Sequence, residues 1–91
     1  MKGEYEMTIL RAGRYVFGRN LPNGMYDIFV LSGEGALTIF CRDDEELWIR
    51  LGKKNRAKEY RGIDSEVVKC FTLDGDVEVR IAKAQMIEIE D

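Results

Sequence analysis

The chain has 91 residues, 45% hydrophobic and 34% charged, with a formal net charge of −3 and no histidine. That length suits one domain spanning residues 1–91, with a thin core, and the acidic balance argues against a general nucleic-acid binder, which needs clustered positive charge. Without histidine there is no Ser–His–Asp or Cys–His constellation and no imidazole ligand for a metal.

In chain order the apolar residues recur with period two, the signature of half-buried strands. The first candidate is "YEMTIL" at 5–10, with Tyr5, Met7 and Ile9 on one side, followed by the short "RYVF" at 14–17. "MYDIFVL" at 25–31 puts Tyr26, Ile28 and Val30 on one face and Met25, Phe29 and Leu31 on the other. A run apolar on both faces predicts a central strand covered from two sides, or one with a contact outside the domain. "ALTIFC" at 36–41, "LWIRL" at 47–51, "EVVKCFTL" at 66–73 and "DVEVRI" at 76–81 continue the pattern, and "MIEIE" at 86–90 closes it. In "DVEVRI", Val77, Val79 and Ile81 face in while Glu78 and Arg80 face out. The best helical candidate is 53–60, "KKNRAKEY", which has no apolar stripe.

Glycine punctuates the strands. "LPNG" at 21–24 combines a pre-set proline φ with an Asn-Gly pair that tolerates positive φ. "SGEG" at 32–35 and "LDGD" at 73–76 both read as hairpins between apolar runs. "LPNGMYDIFVLSG" and "LDGDVEVRIAKA" share a faint internal echo, a leucine and a glycine turn entering an alternating strand. The expected fold is an all-β, small antiparallel β-sandwich of jelly-roll type with about eight short strands.

The candidate chemistry is sparse. Gly33 and Gly35 match no phosphate-binding signature, since no third glycine or Gly-Lys-Ser/Thr follows. Asp43, Asp44, Glu45 and Glu46, and separately Asp74 and Asp76, lack the spacing of a calcium loop and read as solvated charges. Asp27, flanked by Met25 and Phe29 on its own face, reads as an exposed position near a strand end or edge. Cys41 and Cys70 lie in apolar runs without metal-ligand spacing and read as buried small hydrophobes. The segment 48–61 is the one candidate interaction surface: Trp48 and Tyr60 bracket Arg50, Lys53, Lys54, Arg56 and Lys58, with Arg61 following.

The stretch 15–40, through Gly18, Leu21, Pro22, Gly24, Tyr26, Gly33 and Gly35, and the later Gly75 and Asp76, resembles a group of small β-domains commonest in Gram-positive bacteria. Their shared pattern is G-x-D/N-x-P-x-G-x-Y, then G-x-G, then a Gly-Asp hairpin. The resemblance implies a compact bacterial β-sandwich with no assigned activity, often beside a lipoprotein signal or a linker. Here Asn20 stands where the group tends to have aspartate, and "MKGEYEMTIL" has no apolar export core.

These readings converge on a non-enzymatic binding or assembly module without cofactor or metal, cytoplasmic and without a membrane partner. Its partner would be another protein or a second copy of itself. A carbohydrate platform on the aromatics is a weaker alternative. An OB-like single-stranded nucleic-acid binder using 50–61 is the alternative from another class. A cupin-like enzyme would share the jelly-roll outline but normally requires a histidine-based metal site.

Overall fold

A computed structural model describes residues 8–54 and 56–84. The expected strand at 86–90 and the start of the one at 5–10 lie outside the described residues. Eight strands follow one another: β1 (Thr8–Leu10), β2 (Gly13–Val16), β3 (Met25–Ser32), β4 (Gly35–Cys41), β5 (Glu46–Leu51), β6 (Glu59–Asp64), β7 (Val68–Gly75) and β8 (Glu78–Lys83). They form two four-stranded antiparallel sheets, a first sheet ordered β1-β8-β3-β6 and a second ordered β2-β7-β4-β5. Both orders pair early strands with late ones, which is the jelly-roll arrangement of two interleaved Greek keys.

The period-two pattern places alternate residues between the sheets. Ile28, Ile63, Val79 and Ile81 come from the first sheet, and Leu37, Ile39, Leu51, Phe71 and Leu73 from the second. Burial of a side chain of this size contributes about 1.5–3 kcal/mol. Aromatic rings fill one region of the sandwich. Phe71 lies 5.4 Å from Tyr15 and 6.0 Å from Phe17, centroid to centroid, and Phe17 stacks on Tyr26 at 5.8 Å. The Tyr26 hydroxyl donates to the Pro22 carbonyl at 2.9 Å, so its polar tip is satisfied.

The two expected hairpins are corners instead. "SGEG" joins β3 in the first sheet to β4 in the second, and "LDGD" joins β7 in the second to β8 in the first. The corners lie against each other. The Asp76 amide donates to the Glu34 carbonyl at 3.1 Å, and the Glu34 amide donates to Asp76 Oδ1 at 3.0 Å. This closeness requires glycine: a Cβ at Gly35 would overlap the Asp74 carbonyl, and one at Gly33, where φ is +78°, would overlap that of Asp76. The echo between the two glycine-led segments corresponds to β3 and β8, neighbours at the centre of the first sheet.

The segment 53–60, which has no apolar stripe, forms no helix among its described residues. Ala57 lies beside the end of β5, with its amide donating to the Arg50 carbonyl and its carbonyl accepting from the Gly52 amide, both at 3.0 Å. Residues 59 and 60 already belong to β6, a strand whose alternation is broken at Gly62.

Asp27 sits at neither a strand end nor an edge, since β3 is flanked by β8 and β6. The β3–β6 register shifts between Tyr26 and Ile28, so that Arg61 and Gly62 oppose the single residue Asp27. Gly62 has φ +83°, and its amide donates to Asp27 Oδ1 at 3.0 Å. The carboxylate satisfies the donor that the bulge removes from the ladder.

On the second apolar face of β3, Phe29 lies under two arginine planes while Leu31 is exposed. Arg80 lies 4.5 Å and Arg61 5.5 Å from the centroid of the Phe29 ring. Their flat guanidinium groups shield the ring while staying hydrated at their rims.

Substitution at two glycines separates crowding from backbone strain. Gly35→Ala is expected to lower unfolding stability by about 3 kcal/mol through overlap with the facing corner. Gly62→Ala, which meets nothing within 4 Å, is expected to lose only about 1 kcal/mol from its positive φ. Urea denaturation of the two variants measures both.

Candidate functional site

The β4–β5 register sets Leu37 opposite Ile49 and Ile39 opposite Leu47 on the inner side. Trp48 and Arg50 therefore project from the outer side of the second sheet, opposite Thr38 and Ala36. On the other flank of β4, Thr38 pairs with Thr72 and Ala36 with Asp74. One cross-strand row thus reads Arg50–Ala36–Asp74, and the next reads Trp48–Thr38–Thr72–Arg14. Because Ala36 is small, the space between Arg50 and Asp74 stays open.

A hollow of about 380 Å³ lies there, lined by Glu34, Gly35, Ala36, Trp48, Ile49, Arg50, Arg56 and Asp74. Trp48 is 76% exposed, far more than any other large hydrophobic residue described. Its indole Nε1 donates to Glu46 Oε1 two residues away, at 3.3 Å. At the rim, Arg56 pairs with Glu34 at 3.5 Å. That solvent-exposed ion pair is worth at most about 1 kcal/mol. The side chains of Arg50 and Asp74 make no hydrogen bond or ion pair with the described residues.

The centre of this outer face is made of uncharged side chains, with the Arg14 guanidinium at its edge. Thr38, Phe40 and Thr72 are half-buried there, beside the buried Cys70. Cys70 is buried yet separate from the inter-sheet core; Arg14 Nη2 lies 3.7 Å from its sulfur. Cys41, one position past Phe40 on β4, belongs to the core. Both thiols are free.

The basic segment divides. Trp48, Arg50 and Arg56 share the hollow, and Lys53, Lys54 and Lys58 are exposed without an ion pair among the described residues. Tyr60 packs against the core, in register with Ile28. Arg61 lies over Phe29 on the outer face of the first sheet, on the other side of the molecule, and pairs with Glu59 at 3.1 Å. Of the other tyrosines, which a carbohydrate platform on the aromatics would need exposed, Tyr15 is half-buried and Tyr26 is buried, while Tyr5 lies outside the described residues. The sequence pattern missed Asp74 and Glu34, because only the long-range β4–β7 register and the paired corners bring them beside Trp48.

A larger hollow, about 730 Å³, lies by Asn23, Gly24, Arg42, Asp64 and Ser65. Its polar groups already hold loops together. Ser65 Oγ accepts from the Gly24 amide at 2.9 Å, Arg42 Nε donates to the Ser65 carbonyl at 2.9 Å, and Asp64 Oδ1 accepts from the Glu66 amide at 3.0 Å. The acidic stretch is likewise occupied locally, with Asp43 Oδ1 accepting from the Glu45 amide at 3.2 Å. Among the described residues no group of three or more His, Cys, Asp or Glu side chains is placed to hold a metal ion. No helix described is long and apolar enough to cross a membrane. No family model matches the chain, and no curated protein or solved structure matches it significantly.

Among the described residues two groups have shifted acidities. Burial, reinforced by the carboxylates of Asp43 and Glu45, pushes the Cys41 thiol above its ordinary range, and burial alone raises the Tyr26 phenol. Both folded values exceed the unfolded ones, so their stabilising contribution is complete below the unfolded values. It is lost as pH rises toward the folded ones. Stability is expected to fall above about pH 9, and Cys41→Ala to flatten that fall. Urea midpoints measured across alkaline pH check it.

Proposed function

We propose that this chain is a non-enzymatic binding module whose ligand docks on the outer face of the second sheet, beside Trp48. One observation carries the reading: a large aromatic side chain, 76% exposed, stands at the wall of a hollow whose flanking Arg50 and Asp74 side chains make no hydrogen bond or ion pair with the described residues. An exposed indole adds little to the core, and tryptophan is enriched among the residues that anchor contacts outside a domain. The absence of histidine from the chain supports a binding role over catalysis, because no residue titrates near neutrality by default. The resemblance to small Gram-positive β-domains agrees with a module of this size.

The geometry favours a ligand over self-association through this face. Four strands spaced about 4.8 Å apart, with two or three outward positions each, span a plane on the order of 400 Å², the scale of a small ligand. The OB-like alternative rests on a five-stranded barrel and a continuous basic strip. Here the strands form two four-stranded sheets, and Arg61 lies on the face opposite Arg50.

A fragment screen followed by amide chemical shifts tests the reading and works with an unidentified ligand. Hits are expected to perturb residues 34–36, 48–50 and 74 together. Hits that cluster elsewhere, or a screen without hits, would contradict it. Sedimentation is expected to show a monomer at micromolar concentration, and a dimer dissolved by Trp48→Glu would replace the ligand reading with self-association.

A further inference from the structure

The hollow beside Trp48 constrains the chemistry of what it can hold. Its charged lining consists of two guanidinium groups, Arg50 and Arg56, and two carboxylates, Glu34 and Asp74. The local charge sums to zero, so the site supplies no field for a phosphate chain or any other polyanion. The flat, electron-rich face of Trp48 instead attracts polarised C–H groups of an apolar ring face. In the next row of the same face, Arg50 and Asp74 stand on β5 and β7 with Ala36 between them, so their Cα atoms are about 10 Å apart, two strand spacings. One end offers only donors and the other only acceptors. A ligand that suits this arrangement has one apolar face and an equatorial edge of groups that both donate and accept. Sugar hydroxyls do both.

We propose that the hollow binds a neutral saccharide, one pyranose ring stacked on Trp48 with its hydroxyls shared between Arg50 and Asp74. This assignment rests on the reading of the second sheet's outer face as the binding surface and adds the ligand class. The Arg56–Glu34 pair closes the rim next to Gly52, where the Arg56 side chain lies within 3 Å of the place a Cβ would occupy. Glycine at that position lets the arginine stem lie flat against the turn and reach Glu34. The neighbouring Lys53 and Lys54 are exposed and lie outside the lining of the hollow. Their removal should therefore leave saccharide affinity unchanged, whereas a polyanion would depend on them.

Trp48 is the single tryptophan of the chain, so intrinsic fluorescence reports on this site alone. The full chain is titrated with neutral α- and β-linked oligomers of glucose, mannose, galactose and N-acetylglucosamine, and in parallel with an oligothymidylate. At least one saccharide is expected to give a saturable blue shift at millimolar concentration, insensitive to salt. In calorimetry, Arg50→Met and Asp74→Asn should each weaken that binding about tenfold, an amount typical for one hydrogen bond to a charged group. Trp48→Ala should weaken it at least as much, and the double replacement of Lys53 and Lys54 by glutamine should not change it.

Failure of every saccharide with a cooperatively folding protein would overturn the assignment, as would tighter binding of the oligothymidylate or binding indifferent to Trp48→Ala. If fragments still perturb residues 34–36 and 48–50 after the saccharides fail, only the ligand class is lost. If the fragments fail as well, the binding surface is lost with it.

Discussion

The contact between the two glycine corners is the constraint on which the rest of this fold depends. Two of the short turns by which the chain passes from one sheet to the other, β3 to β4 and β7 to β8, meet at the same spot. They are held by the reciprocal hydrogen bonds of Glu34 and Asp76. Because a side chain at Gly33 or Gly35 would overlap the opposite backbone, the approach is closer than any other residue permits. That approach aligns Gly35 with Gly75 and starts the β4–β7 ladder, the register that then runs along the second sheet. An error of one residue there would exchange the inner and outer sides of β4, exposing Leu37 and Ile39 and burying Thr38.

The same ladder produces the hollow. Arg50, Ala36 and Asp74 come from three strands, and their alignment in one row follows from register alone. Ala36 leaves a gap where a larger outward residue would fill it, and Trp48 in the next row walls it. The other face of the molecule shows how similar residues serve the fold instead. There Phe29 is enclosed by Arg80 and Arg61, and Asp27 satisfies the bulge at Gly62. An aromatic with arginines and an acid thus occurs on both outer faces, but in one the groups satisfy each other and in the other they surround open space.

Much of the fold was legible because burial on one side of a strand imposes period two. Tyr26, Ile28 and Val30 face in as their spacing indicates, and so do Val77, Val79 and Ile81. β6 was not legible, because Gly62 inserts an extra residue and shifts the phase of its alternation within six residues. The glycine turns were legible as turns but not as corners. A Gly-x-Gly between two apolar runs looks the same whether the second run returns beside the first or crosses to the other sheet. Within the candidate site, Trp48, Arg50 and Arg56 stood out as neighbours in sequence. Asp74 and Glu34 did not, since their proximity is created by pairing between strands almost forty residues apart. Arg61 and Tyr60, adjacent in sequence to that surface, turn away from it because the chain has by then entered the other sheet.

The most direct measurement fills the gap without touching the groups proposed to bind. Ala36→Phe places a ring on the outer side of β4, where strand propensity favours it and no core contact is altered. The tightest-binding saccharide or fragment is titrated into this variant and into the unaltered chain by calorimetry, with urea unfolding measured alongside. Equal or slightly higher stability and a loss of affinity of at least tenfold are expected. Unchanged affinity in the folded variant would show that the hollow between Arg50 and Asp74 is not the binding site.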